Sequence, residues 1–174
     1  MISGIFFYPV SSKWLNLRTY FFVLLFATGN LILPQLCHLI PSGGKILLPI
    51  YFFTLVASYK FGWRVGLLTA ILSPILNSVL FGMPMAAVLP IILIKSTLLS
   101  LIASYVASSY KRLSLFHLLV VVVSYQLIGS AIEWALTQSF AAAIGDFTTG
   151  LPGMAIQLFG GWWVLKNLAQ YGRQ

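Results

Sequence analysis

Three charged side chains lie inside or beside long apolar runs of this sequence, where they could do chemistry. Lys95 lies within one run, Glu133 lies near the end of the next, and Asp146 lies in or just after the connection that follows. A charge at the centre of a membrane helix costs at least about 2.5–3.5 kcal/mol, so each one requires a partner or a function. Lys95 could bind a substrate anion, Glu133 could bind a substrate cation, or the two could form a structural ion pair.

The remaining members of the predicted substrate site are polar or aromatic residues in the same runs: His38, Asn77, Gln126, Trp134 and Gln157. The polar members can hydrogen bond to a solute and Trp134 can stack on a flat ring, although ordinary packing uses the same residue types. Lys95 follows the Gly82-Met83-Pro84 turn by about eleven residues. Helical rise then puts its ammonium about 16 Å deep, near the membrane midplane.

Motifs for catalysis, metal binding and nucleotide binding are not found in the sequence. It has no Gly-x-Ser-x-Gly or His-Glu-x-x-His motif and a single cysteine, Cys37, so we expect no enzyme, no metal site and no cofactor. The run Ser42-Gly43-Gly44-Lys45 resembles part of a phosphate-binding loop. It lacks the leading glycine and the Ser or Thr after the lysine, so a nucleotide site is not expected.

The composition indicates that lipid surrounds this chain. Of its 174 residues, 60% are hydrophobic and 7% are charged, whereas soluble domains carry roughly 25% charged residues. The length allows one domain, residues 1–174, with a short interfacial segment at residues 1–14. The formal charge of +8 suits contact with an anionic inner leaflet, and we expect no nucleic-acid partner.

The apolar runs predict an all-α integral membrane protein, a bundle of six transmembrane helices. About 20 residues are needed to cross the hydrocarbon core, and Pro and Gly residues mark the boundaries between runs, as at Gly62. The predicted spans are residues 15–40, 46–60, 63–81, 85–109, 113–137 and 147–166.

The basic residues predict the orientation of the bundle. Most of them occupy the N-terminal flank, two alternate connections and the C-terminal flank: Lys13, Arg18, Lys60, Arg64, Lys111, Arg112, Lys166 and Arg173. Since cytoplasmic loops of membrane proteins are enriched in Lys and Arg, both termini should be cytoplasmic.

Several short motifs occur in an order that is similar to one known family. A long first helix ends at Pro41-Ser42-Gly43-Gly44-Lys45, a short second helix ends at Phe61-Gly62-Trp63-Arg64-Val65-Gly66, and Leu80-Phe81-Gly82-Met83-Pro84 follows. In this order, and in size and span number, the chain resembles the substrate-binding S component of an energy-coupling factor (ECF) transporter.

The resemblance implies a bundle that binds a vitamin or similar micronutrient in an outer pocket. The loop after the first helix would be its lid, here Ser42, Gly43, Gly44 and Lys45. The first helix would dock on a transmembrane coupling subunit driven by two ABC ATPases. Family members often carry two alanines four residues apart on that helix, whereas here Ala27 is followed by Leu31, with Gly29 between.

The sequence therefore predicts a substrate-capture subunit in the cell membrane of a prokaryote. It would take up a small water-soluble nutrient from outside and depend on separate ATPases for transport. The alternative is a non-transporting membrane scaffold of similar shape, resembling the MreD family. A pocket closed over a bound molecule would distinguish the two.

Overall fold

The computed structural model describes residues 5–6 and 16–170, which are almost entirely helical. The elements in chain order are β1 (Ile5–Phe6), α1 (Leu17–Cys37), α2 (Gly43–Leu47), a 3₁₀ turn (Pro49–Tyr51), α3 (Phe52–Phe81), α4 (Leu89–Tyr110), β2 (Arg112–Leu113), α5 (Leu115–Thr137), α6 (Phe140–Thr149) and α7 (Leu151–Gln170).

Four helical segments of the described chain are long and apolar enough to cross a membrane. They are Leu17–Cys37, Gly43–Phe81, Leu89–Tyr110 and Leu115–Thr137. Their outward surfaces carry large apolar side chains such as Leu24, Val79 and Leu127, which are favourable in lipid and unfavourable in water. The chain is thus a multi-pass, predominantly helical membrane protein.

Helix α3 is two antiparallel segments joined by a break at Gly62. Gly62 has φ +79° and ψ 179°, a conformation that glycine adopts without strain. A Cβ atom placed on Gly66 would lie 2.7 Å from the Cα atom of Ser58, whereas a continuous helix would separate these residues by about 12 Å. The predicted break at Gly62 is therefore confirmed, and we call the two segments α3a (52–61) and α3b (63–81).

A buried asparagine on α1 joins both segments of α3. The Asn30 Nδ2 atom donates to Thr54 Oγ1 at 3.0 Å and to Ser73 Oγ at 3.1 Å, and its Oδ1 atom accepts from the Phe53 backbone N–H at 3.2 Å. Asn77 Nδ2 donates to the Asn30 carbonyl at 2.8 Å. Because hydrocarbon offers no hydrogen bonds, such groups stabilise a membrane bundle by bonding to one another.

The basic connections lie at one end of this bundle. The Tyr59 hydroxyl, next to the Gly62 reversal, donates to the Arg112 carbonyl at 2.8 Å. Strand β1 pairs with β2, placing Phe6 opposite Arg112, and α7 also contacts β2. We call this the basic end. Helices α2 and α6 lie at the other end, which we call the outer end after the orientation that the sequence predicts.

Several predicted boundaries were wrong. The fourth span begins at Leu89 rather than at residue 85, because residues 82–88 form no helix. The predicted span 147–166 is divided between α6 and α7, which meet at Gly150. Helix α6 was not predicted. Of the predicted interfacial segment 1–14, only Ile5–Phe6 lies within the described residues, as a strand.

Candidate functional site

Lys95 is shared by two carboxylates near the outer end of the bundle. Its Nζ atom donates to Glu133 Oε2 at 2.7 Å and also to Asp146 Oδ2. Lys95 is 2% exposed, while the side chain of Asp146 is 33% exposed. Glu133 and Asp146 are the two acidic residues of the whole sequence. We call the three side chains the charged triad; each comes from a different helix, α4, α5 or α6.

The local structure of α5 and α6 positions the triad. A Cβ atom placed on Gly129 would lie 2.6 Å from the Lys95 Cγ atom, so a glycine one turn before Glu133 lets the lysine stem lie against α5. Gln138 ends α5 with φ +54°, and the Ser139 hydroxyl caps α6 by accepting from the Ala142 N–H. This sharp turn brings Asp146 back to Lys95.

The triad lies closer to the helix ends than the sequence indicated. Lys95 is six residues from Leu89, the first residue of α4, which corresponds to about 9 Å of helix. Glu133 is four residues from Thr137, the last residue of α5, or about 6 Å. The sequence-based figure of about 16 Å assumed that helix begins at the turn of residues 82–84, whereas residues 82–88 form no helix.

The structural ion pair that the sequence left open is present, and it has a third member. If all three groups are ionised, the formal charge of the triad is −1. Asp146 was missing from the predicted site residues, although charge counting offered a signal: it is the only other acidic residue in the chain. Because the sequence placed Asp146 in or beside a connection, its contact with Lys95 was not predicted.

A layer of buried amides and phenols lies deeper on α5. The Tyr125 hydroxyl donates to Gln157 Oε1 at 3.0 Å, and the Tyr125 ring centroid lies 5.6 Å from that of Tyr51. Gln126 and Gln157 are fully buried. Within the described residues, both amide atoms of Gln126 and the Nε2 atom of Gln157 have no hydrogen-bond partner. Buried polar groups without partners are uncommon, and a bound solute or ordered water would complete their hydrogen bonds.

The other predicted site residues are not hydrogen bonded to the triad. Asn77 belongs to the cluster around Asn30. Trp134 is half exposed and meets Phe140 edge to face, with ring centroids 5.4 Å apart. These two rings lie in an open apolar groove of about 290 Å³ between α5 and α6. His38 lies against Gly44, where a Cβ atom would be 2.6 Å from the imidazole Nε2 atom.

The predicted lid, Ser42 to Lys45, forms the turn into α2 and most of that helix. Helix α2 packs against α6 and α7, so it lies at the same end as the triad. A Cβ atom on Gly153 would lie 2.5 Å from the Leu47 carbonyl carbon, which shows how closely the chains approach. Lys45 is exposed. Its role as part of a lid remains a prediction.

The predicted docking residues pack towards the bundle. Ala27 is 2% exposed, and a Cβ atom on Gly29 would lie 2.8 Å from the ring of Phe53. Small residues at these positions let α1 approach α3 closely. The exposed side of α1 is formed by large apolar residues: Phe21, Leu24, Leu25, Ile32 and Leu36.

The arrangement at the outer end is suited to binding a charged or polar solute. It combines fixed charges, free amide groups and one carboxylate that is partly exposed. Intramembrane charges of this kind commonly mark solute pathways. No protein-family model matches the chain, and no curated protein or solved structure is significantly similar to it.

Proposed function

We propose that this chain is the substrate-capture (S) subunit of an ECF-type importer in a prokaryotic cell membrane. It binds a small water-soluble vitamin or similar micronutrient at the outer end. The observation that carries this proposal is the charged triad, since both carboxylates of the chain converge on one buried lysine at that end. A charge cluster set apart from the basic end is typical of a membrane solute site.

The proposed topology has six spans and cytoplasmic termini. The break at Gly62 supports it, because residues 43–61 and α3b then count as separate crossings. Helix α3a alone covers only about 15 Å, so α2 and the 3₁₀ turn contribute to the first of these crossings. Adding α7 to the four apolar segments completes the six. The basic end is assigned to the cytoplasm by the Lys/Arg bias of membrane proteins, so the triad faces the outside.

The energy for transport comes from other subunits in this proposal. The sequence lacks a complete phosphate-binding loop, and its substrate site lies on the side of the membrane away from cytoplasmic ATP. A transmembrane coupling subunit and two ABC ATPases would therefore drive release. Substrate binding by this chain alone requires neither of them.

The second candidate is a non-transporting membrane scaffold of the MreD type. The triad is also compatible with a scaffold, because the Lys95 ammonium already bonds to two carboxylates and this arrangement can serve structure alone. A scaffold has no need for the unpartnered amides of Gln126, however, and burying them without partners costs stability.

Purification from native membranes tests the proposal. A tagged copy of the chain should co-purify with one coupling subunit and two ABC ATPases, while an equally tagged, unrelated multi-pass protein should not. The purified chain alone should bind solute but show no concentrative uptake in vesicles. Recovery of cell-shape proteins without ATPases would favour the scaffold, and ATP-dependent uptake by the chain alone would refute the S-subunit assignment.

A further inference from the structure

The charged triad carries one carboxylate more than its lysine can neutralise. Lys95 contributes one positive charge, and Glu133 and Asp146 contribute two negative charges. Among the residues that the structure describes, no second Lys, Arg or His lies within 4 Å of either carboxylate. The excess charge belongs to a site in which Lys95 is almost completely excluded from solvent.

An uncompensated carboxylate is costly in such surroundings. Attraction between opposite charges grows as the local dielectric constant falls, and so does the penalty for leaving a charge without a partner. A positively charged group placed beside Glu133 and Asp146 would remove that penalty. A negatively charged group would increase it, since Lys95 already has two anionic partners.

Gln126 provides a second, independent indication of a bound solute. Its side chain is fully buried, yet neither its Nε2 nor its Oε1 atom has a hydrogen-bond partner in residues 5–6 and 16–170. Gln126 precedes Glu133 by seven residues, so the two differ by only about 20° around α5 and by about 10 Å along it. Gly129, between them, contacts the Lys95 stem. Gln126 thus shares the face of α5 that carries the triad.

The acceptor groups of the triad suit a nitrogen cation better than a metal ion. No group of three or more His, Cys, Asp and Glu side chains that could hold a metal ion occurs in the described parts of the chain. The two carboxylates match the several N–H donors of an ammonium group. Asp146, whose side chain is one-third exposed, gives such a group a route from the surface.

We infer that the triad binds the positively charged nitrogen of a cationic solute, held by Glu133 and Asp146, while the Gln126 amide, about 10 Å deeper, bonds to a polar group elsewhere on the solute. This inference rests on the proposed function, since it names the charge class of the captured nutrient. Lys95 then serves to hold the two carboxylates together in the empty site.

Methylammonium chloride is the probe, because it is the smallest solute with the required group. Thermal unfolding of the whole chain in detergent is measured with methylammonium chloride, sodium chloride and sodium acetate at equal ionic strength. Methylammonium should raise Tm above the value in sodium chloride, and acetate should not. Asp146→Asn and Glu133→Gln should each weaken methylammonium binding about tenfold or more, as expected for loss of a hydrogen bond to a charged group.

Asn167→Lys is the matched control. Like Asp146→Asn, it raises the net charge of the chain by one unit. It does so at an exposed position near the basic end of α7, so its methylammonium response should equal that of the unmodified chain. An equal response of the unmodified chain to methylammonium and sodium would overturn the inference, as would stabilisation by acetate or an unchanged response in Asp146→Asn.

These outcomes are separable from those of the proposed function. If the chain co-purifies with ATPases but ignores methylammonium, the importer assignment stands and the cationic site is wrong. If methylammonium binds through Asp146 but no ATPase co-purifies, the cationic site stands and the importer assignment is wrong.

Discussion

Removing both carboxylates from Lys95 should destabilise the protein far more than the two single changes suggest. Glu133→Gln and Asp146→Asn each leave Lys95 one ionised partner and bring the formal charge of the triad to zero. The double variant leaves the buried ammonium with no anionic partner in the triad. The structure therefore predicts that the effects of the two substitutions on stability are strongly coupled, although Glu133 lies on α5 and Asp146 on α6.

The magnitude follows from burial. Glu133→Gln replaces a carboxylate acceptor of the Lys95 ammonium by a neutral amide oxygen and should cost about 1 kcal/mol. Asp146→Asn should cost about 0.2–1 kcal/mol, because its side chain is one-third exposed and water screens it. Isolating a buried charge costs about 3–5 kcal/mol. The coupling free energy is thus about 1–4 kcal/mol, the difference between the cost of the double variant and the sum of the two single costs.

Thermal unfolding in detergent, followed by tryptophan fluorescence, measures this coupling. For a chain of this length a loss of 1 kcal/mol lowers Tm by about 2–4 °C. The single variants should lose no more than about 4 °C each, and the double variant about 6–20 °C. Lys95→Met combined with both amide substitutions should recover much of the loss, because no buried charge then remains.

Additive losses would refute this reasoning. If the double variant loses only the sum of the two single losses, Lys95 is not stabilised by the carboxylates jointly, and the triad is not an energetic unit. A triple variant no more stable than the double variant would show that the damage comes from packing rather than from the unpaired charge.

Two further predictions concern packing and topology. Gly66→Ala should destabilise the bundle by about 1–3 kcal/mol, because its Cβ atom would lie 2.7 Å from Ser58 Cα. The control, Gly145→Ala, has nothing within 4 Å of its Cβ atom and should be neutral or stabilising by up to about 1 kcal/mol. Equal Tm values for the two variants would contradict the close approach of α3a and α3b. In a cysteine-free background, Met83→Cys should react with an impermeant thiol reagent added to intact cells and Lys111→Cys should not; labelling at residue 111 would contradict the orientation.

The sequence by itself determined the class of the protein and the division of its chain. Apolar runs of sufficient length, and the glycine and proline residues between them, are local features that decide where helices can form in lipid. The break at Gly62 could be predicted for this reason. The prominence of Lys95 and Glu133 could also be predicted, because charges are rare in apolar runs.

Only the tertiary structure decided which polar side chains meet. Asp146 joins Lys95 across 51 residues, and Asn30 bonds to residues 24 and 43 positions away. Such contacts depend on the rotation of each helix about its axis and on the short helix α6. Apolar residues cover all sides of helices in lipid, so hydrophobic periodicity gives little information about rotation. The partners of each buried polar group are settled by the packing of the whole bundle.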